Sequence, residues 1–333
     1  MLFINNDSND VYFNFALEHY FVTEKQMNEP LLVFWRTEPT LMVGKYQNIY
    51  EEVDVNYAKQ HDINIVRRPS GGGTIYTDLG SWQFTFIQYQ TKREIFFDDF
   101  TQPVIVALNR LGVPAEFNGR NDIMIENKKI SGNAQYKEKG ITVHHGSLLF
   151  DTDIEEMVRS TTVDEHKIIS KSIKSIRDRV TNIAEYLSND FTAMDFKQYM
   201  VKELMGNEAT IYHLTRTDIA CINELADQLF RSWEAKYKRN PTFTRTTTHY
   251  LAGGKLSVSL DIKSGCIAEL QLTGDFFSGE DIEEFCQKLV GTRLDEQAIR
   301  EKITELTDQS LIYNISNEEI ATAILDIPQR NID

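Results

Sequence analysis

Arg67 and Arg68 stand just ahead of three consecutive glycines, Gly71, Gly72 and Gly73. Guanidinium forks suit phosphate or carboxylate, and bare backbone amides beside them form an anion-binding concavity. A run of glycines loses much entropy on ordering, so it is kept where φ must be positive or where something lies against naked backbone. Ile63 and Ile65 alternate with polar residues before the arginines, and Ile75 stands between Thr74 and Tyr76 after the glycines. Both flanks have the period of a strand, so the glycines join two strands. The loop is not of the GxxxxGK type, and no GxGxxG with a following helix is present. By spacing alone, a glycine-rich hairpin with solvated arginines accounts for the pattern equally well.

The chain that must position this loop has 333 residues, 41% apolar and 26% charged, enough for a large core in two domains. Its net charge of -15 opposes the wrapping of duplex nucleic acid, so an anionic ligand must be met by a local basic patch. No run of about 18 apolar residues offers a membrane span, and the N-terminus lacks the pattern of a secretory signal. A cytoplasmic location is therefore expected. Cys221, Cys266 and Cys286 are too widely spaced for a metal site and read as small core residues. Adjacent His144 and His145 should point to opposite faces of a strand, which argues against a structural metal site.

Asp10 is a candidate N-cap for a helix carrying Phe13, Leu17, Tyr20 and Phe21 on one face. A second helix is expected over Asp98–Leu111, with Pro103 in its first turn and Gly112 at its end. Residues 123–131 read as a hairpin turning at Glu126–Lys128, and HHGSLLF, residues 144–150, as the next strand. A short helix falls within 151–166. Residues 167–182 hold five basic residues against Asp178, a pattern that by itself also describes a solvated face. Two more amphipathic helices are expected over Asp190–Met205 and Asp218–Tyr237. The helical period is then lost, which places a boundary near residue 247 and divides the chain into 1–247 and 248–333. In the second unit a hairpin turns at Gly253 and Gly254, and helices are expected to start at Ser278 and Ser316, each with an acid three residues on.

The string RRPSGGGTIYTDLG, residues 67–80, resembles the RRxSGGGxxxxDxG signature of the lipoate-protein ligase family. Further segments match that family in order: Asn9–Tyr20, Thr40–Asn48, the pair Asn121 and Asp122, the run Lys129, Ile130, Ser131 and Gly132, then His144, His145 and Gly146, and finally Arg177, Arg179, Val180, Thr181 and Asn182. The resemblance implies an α+β fold: a large catalytic domain of mixed, mainly antiparallel sheets flanked by helices, with a small C-terminal accessory domain that swings as the adenylate forms. It implies an ATP-dependent enzyme that converts lipoate to lipoyl-AMP, releases pyrophosphate, and passes the lipoyl group to the lysine of apo lipoyl domains. Such acceptors are 2-oxoacid dehydrogenase E2 subunits and the glycine cleavage H protein, whose acidic surfaces call for a basic rim, expected within 167–179.

Carried onto this sequence, the resemblance gives Lys129 the catalytic role. ATP is assigned to Arg68, Gly73, Thr74, Ile75, Tyr76, Lys129, Asp122, Arg177 and Arg179, with Asp122 also a candidate Mg2+ ligand. Lipoate is assigned to Lys129, Arg67, Ser70, Gly71, Gly72, Gly73, His145, Leu17, Val43 and Gly44. From its type and place alone Lys129 is an exposed strand lysine, and no residue stands out as general base for the acceptor amine. Two other functions are consistent with the motifs: an octanoyl or lipoyl carrier-protein acyltransferase, for which no cysteine precedes Cys221, and a non-catalytic protein binding lipoate or lipoyl domains. A monomer is expected.

Overall fold

A computed structural model describes residues 1–27, 29–89, 95–161, 175–188, 190–206, 210–232, 235–236, 245–263, 265–307 and 309–326. Apolar runs in the central strands, buried on both faces, and alternating segments nearer the edges build three sheets. The largest has eight strands among the described residues: β1 (Leu2–Asn5), β2 (Leu31–Trp35), β6 (Ser81–Tyr89), β7 (Glu116–Phe117), β8 (Asp122–Ile125), β9 (Lys128–Glu138), β10 (Ile141–Leu149) and β11 (Thr210–His213), in the order β11-β1-β2-β6-β10-β9-β8-β7. β1 is parallel to β2 and to β11, and the other pairs are antiparallel. A second sheet joins β3 (Thr40–Val43) in parallel to β4 (Asn64–Arg67) and antiparallel to β5 (Ile75–Thr77). The glycine loop thus connects β4 to β5, strand to strand.

The large sheet is covered on both faces. Helix α1 (Val11–Thr23) packs on the inner face, its start fixed by Asp10, whose carboxylate accepts the Tyr12 amide at 2.9 Å. Helix Asp98–Arg110 and helix Ala193–Met205 cover the outer face through Val104, Leu108, Phe196 and Met200. Pro103 lies in the second turn of its helix rather than the first, because the helix begins at Asp98. The expected hairpin turns on Glu126 and Asn127, both with positive φ, a two-residue turn whose twist suits antiparallel strands. A short helix, Ile154–Thr161, follows β10.

The C-terminal unit is a three-stranded sheet, β12 (Arg245–Leu251), β13 (Gly254–Lys263) and β14 (Cys266–Gly274), backed by helices Ile282–Leu289, Glu296–Leu306 and Asn317–Leu325 around its own apolar cluster. Thr247 lies inside β12, paired with Val258, so the boundary expected at 247 cuts a strand of the small sheet, because loss of helical period here marks a strand and not a linker. The helix expected from Ser278 starts instead at Ile282, because Asp281 accepts the Glu283 and Glu284 amides while the Ser278 hydroxyl donates to the Leu311 carbonyl. Ser316 does cap its helix, in a reciprocal pair with Glu319. The helix expected over Asp218–Tyr237 runs from Arg216 to Ala226 and then widens into a π turn, Asp227–Arg231. No helix among the described residues is long and apolar enough to cross a membrane.

Candidate active site

The two arginines face into the loop rather than out of it. Arg68 is 5% exposed. It donates from Nη1 to the Met42 carbonyl at 2.7 Å, from Nη2 to the Gly71 and Gly73 carbonyls at 2.8 and 2.7 Å, and from Nε to Ser70 Oγ at 3.1 Å. Burial pushes its guanidinium down to about 10, so it keeps its charge at neutral pH. Arg67 donates to the Gly44, Lys45, Gln47 and Lys236 carbonyls. These bonds to carbonyls hold the loop in shape, and Arg68 also lines the cavity beside it. Gly44, expected to let backbone approach a ligand, instead makes room for the loop: a Cβ there would stand 2.0 Å from the Gly72 carbonyl oxygen.

Between this loop and the inner face of the large sheet lies a cavity of about 100 Å³, lined by Gly72, Gly73, Thr74, Ile75, Lys129 and His145 among others. Tyr76 points the other way, buried with Leu41 and Val43 behind the second sheet, since neighbouring strand residues face opposite sides. For the same reason Met42, not Val43, lines the cavity. Leu17 is buried in the core under α1, and Phe15 reaches the cavity in its place. These are corrections to the assignments of Leu17, Val43 and Tyr76.

Lys129 opens β9 at one end of the cavity. A β-bulge skips Ile130, so Ile123 pairs with Ser131 and Met124 with Lys129, and the bulge turns the lysine across Gly132. A Cβ at Gly132 would meet Lys129 Nζ at 3.0 Å. The half-buried ammonium is 2.8 Å from Asp122 Oδ1, an ion pair without hydrogen-bond alignment. The Lys129 amide donates to the Arg179 carbonyl at 2.8 Å, and its carbonyl accepts the Thr181 amide at 3.1 Å. Two motifs some 50 residues apart are thus joined at the main chain of one residue. The Arg177 and Arg179 side chains themselves are exposed and do not line the cavity. The rest of the basic stretch, 167–174, lies outside the described residues.

The histidines do point to opposite faces. His144 is fully buried on the outer face, stacked on Phe100 with ring centroids 4.7 Å apart. Burial, and secondarily the neighbouring His145, hold it well below the usual histidine range. His145 faces the cavity. Its Nε2 is 2.6 Å from Ser70 Oγ and its Nδ1 is 3.3 Å from Glu18 Oε2, while Glu18 Oε1 accepts from Thr85 Oγ1, which accepts from Trp35 Nε1 at 3.0 Å. The Ser70 hydroxyl, which accepts from Arg68 Nε, and the Glu18 carboxylate thus bracket the two ring nitrogens of His145 and fix the orientation of the ring. Ser70 stands behind this histidine rather than in the lining. Sequence reasoning missed Glu18. Its one signal is its place on a helical face with Val11, Phe15 and Val22.

The C-terminal unit also reaches the site. The Gly72 amide donates to the Phe276 carbonyl at 2.9 Å, and Gly71 packs so close to that oxygen that a Cβ would stand 2.2 Å from it. Phe277 lines the cavity, packed against Phe97 at 5.3 Å. No local pattern marks these phenylalanines as site residues.

Comparison with known proteins agrees with this geometry. The family described as "Lipoyl protein ligase A/B catalytic domain" matches residues 10–205, and "Bacterial lipoate protein ligase C-terminus" matches 240–324. A lipoate-protein ligase of Bacillus subtilis is 36% identical over 331 residues, covering 97% of this chain and all of that protein. Lipoate-protein ligase 1 of Staphylococcus aureus is 37% identical, covering 95% of this chain and 97% of its own. Among solved structures, a Plasmodium falciparum protein in complex with lipoate superposes with a TM-score of 0.80 at 23% identity, covering 97% of this chain and 99% of that one. A lipoate-protein ligase A bound with ATP superposes at 0.61 with 24% identity, covering 72% of this chain and 98% of its own. With both family models matched and these relatives aligned over nearly their whole length, the chain belongs to the lipoate-protein ligase family of enzymes.

Proposed function

We propose that the enzyme joins lipoate to protein in two steps, through lipoyl-AMP. In the first, a lipoate carboxylate oxygen attacks the α-phosphorus of ATP in line, and the bond to the departing pyrophosphate breaks. A carboxylate is already ionised near neutral pH, so this step needs positioning and charge neutralisation rather than a base. In the second, an acceptor lysine amine attacks the lipoyl-AMP carbonyl, and AMP leaves with the bonding electrons.

The observation that carries the reading is the placement of Lys129. Its ammonium faces the cavity mouth, while the segment holding Arg177 and Arg179 is bonded to its main chain. Lys129 neutralises the carboxylate and then holds the carbonyl oxygen as charge develops. Gly72 and Gly73 supply backbone beside the ligand, and Thr74 and Ile75 continue that wall. Arg67 and Arg68 contribute by fixing the loop's shape. His145 closes the apolar region with Phe15 and Trp35, where the dithiolane would lie. Asp122 beside Lys129 suits Mg2+, which takes a carboxylate together with substrate phosphates and when bound would offset phosphate charge. No cysteine lines the cavity, and burial pushes the Cys286 thiol up to about 12, so a thioester-forming acyltransferase finds no nucleophile here.

Our reading extends to apo lipoyl domains of E2 subunits and H protein as acceptors, a cytoplasmic monomer, and a division of the chain just before Arg245. The test is pyrophosphate release from ATP and Mg2+ on adding lipoate, with and without an apo lipoyl domain. Release that needs lipoate, with lipoylated acceptor formed, is the expected result. Lys129→Ala should lower both, since a fixed donor at such a centre is worth about 3–4 kcal/mol, roughly two to three orders of magnitude. Acceptor modification from an acylated carrier without ATP would overturn the reading, as would lipoate binding with no release.

A further inference from the structure

With Arg67 and Arg68 bonded to carbonyls, the outer two phosphoryl groups of ATP would still gain from a fixed guanidinium beside any Mg2+ held at Asp122. Arg120 has the properties required. It lies in the turn Asn118–Asp122, immediately before Asn121, which lines the cavity. The turn is stiff: Asn118 Oδ1 accepts the amides of Arg120 and Asp122 at 2.9 and 3.1 Å, and Gly119 takes the left-handed conformation, φ +83. From it the guanidinium reaches the junction of the two units. Its Nη2 donates 2.8 Å to the Gly253 carbonyl in the hairpin turn between β12 and β13. The Cβ position of Gly254 is 3.0 Å from this nitrogen and 2.4 Å from Asp275 Oδ1, and the Cβ position of Gly73 is 3.8 Å from Asp275 Cβ. Asp275 thus lies between the arginine and the glycine loop, and Asn121, next to Arg120 in the chain, lines the cavity.

Its bonding is incomplete. Arg120 Nε is buried without an acceptor among the described residues, and no carboxylate among them forms an ion pair with the guanidinium. Asp275, on the small-domain side, accepts instead from the Lys255 amide. A buried charged donor left unpaired is costly, so the position favours an incoming acceptor. A planar fork with an idle N-H and a neutral carbonyl as partner is an anion receptor not yet engaged.

We propose that Arg120 binds the β- and γ-phosphoryl groups of ATP, the part that leaves as pyrophosphate, exchanging the Gly253 carbonyl for phosphate oxygens. The proposal rests on the two-step reading above and adds a residue that serves only the first step. Neither lipoyl-AMP nor the acceptor lysine carries the group it holds.

The test compares wild type, Arg120→Met and Arg120→Lys in three measurements: KM for ATP in lipoate-dependent pyrophosphate release, inhibition by added pyrophosphate, and single-turnover transfer from supplied lipoyl-AMP to an apo lipoyl domain. In Arg120→Met, KM for ATP and the inhibition constant for pyrophosphate should each rise about tenfold or more, while transfer from lipoyl-AMP stays within about twofold. Arg120→Lys, which keeps the charge but not the fork, should fall between, and it carries the test if the methionine variant does not fold. An unchanged KM for ATP overturns the proposal. So does an equal loss in both half-reactions, which would make Arg120 only a bolt between the units. Failure of wild type to release pyrophosphate with lipoate would instead sink the ligase reading itself.

Discussion

Lys129 shows how little of a residue's role lies in its own type. Its placement comes from a bulge at Ile130, a glycine at 132 that leaves space for the butyl chain, and main-chain bonds to residues 179 and 181. Sequence motifs named the lysine but not these supports, which are long-range or geometric. The arginines illustrate the converse. Their type suggested anion binding, and the inward-turned loop carbonyls are their partners within the fold, as buried charged donors require. His144 gives a prediction at the same scale. Gln135 Nε2 lies 3.0 Å from its Nδ1 and Asn133 Oδ1 lies 3.1 Å from its Nε2, so the buried ring is neutral with its proton on Nε2. Its folded pKa is depressed, whereas the unfolded chain has the ordinary 6.5. Below that value the unfolded state binds the extra proton. Its contribution to stability is therefore complete above about pH 6.5 and lost progressively as pH falls toward the folded value. Denaturant unfolding from about pH 8 to about pH 5 should show this decline, and His144→Gln should flatten it.

At the scale of elements, the segments that could be read were those whose signals are local. The Asp10 cap, the positive-φ turn at Glu126 and Asn127, and the two strands flanking the glycines need only neighbours in sequence. Assigning Leu17 and Val43 to the pocket failed because it required knowing which face of α1 and of β3 looks inward. Ser278 failed because its hydroxyl found the Leu311 carbonyl, 33 residues away. The second sheet also explains why the loop tolerates no enlargement at its base. Gly44→Ala would drive a methyl into the Gly72 carbonyl at 2.0 Å, and overpacking of this kind costs about 1–3 kcal/mol. Its urea midpoint should fall accordingly and its KM for lipoate should rise. Unchanged values for both would mean that the loop base is more compliant than its close packing suggests.

For the whole molecule, a net charge of -15 meets acceptors whose family resemblance implies acidic surfaces. Under the proposed function such repulsion would be offset locally, and the sequence offers the basic residues of 167–179 for that role. Charge reversal at Lys171 and Lys174 should slow acceptor association about tenfold at low ionic strength and much less at high salt, because screening acts over about 10 Å at 0.1 M. Stopped-flow transfer at two salt concentrations checks this, and equal rates for variant and wild type at low salt would refute it. That both units share one site was not legible from sequence, since Phe276 and Phe277 lie some 200 residues from the glycines they touch.

The bond from Gly72 to Phe276 has a consequence for isotope labelling. It places one amide hydrogen of the glycine loop under the control of the other unit. In deuterated solvent that hydrogen survives only while the carbonyl covers it, so its exchange rate, set against that of a free glycine amide, measures the fraction of time the units spend apart. A single hydrogen thus serves as a clock for opening, readable in the resting enzyme before any substrate is added.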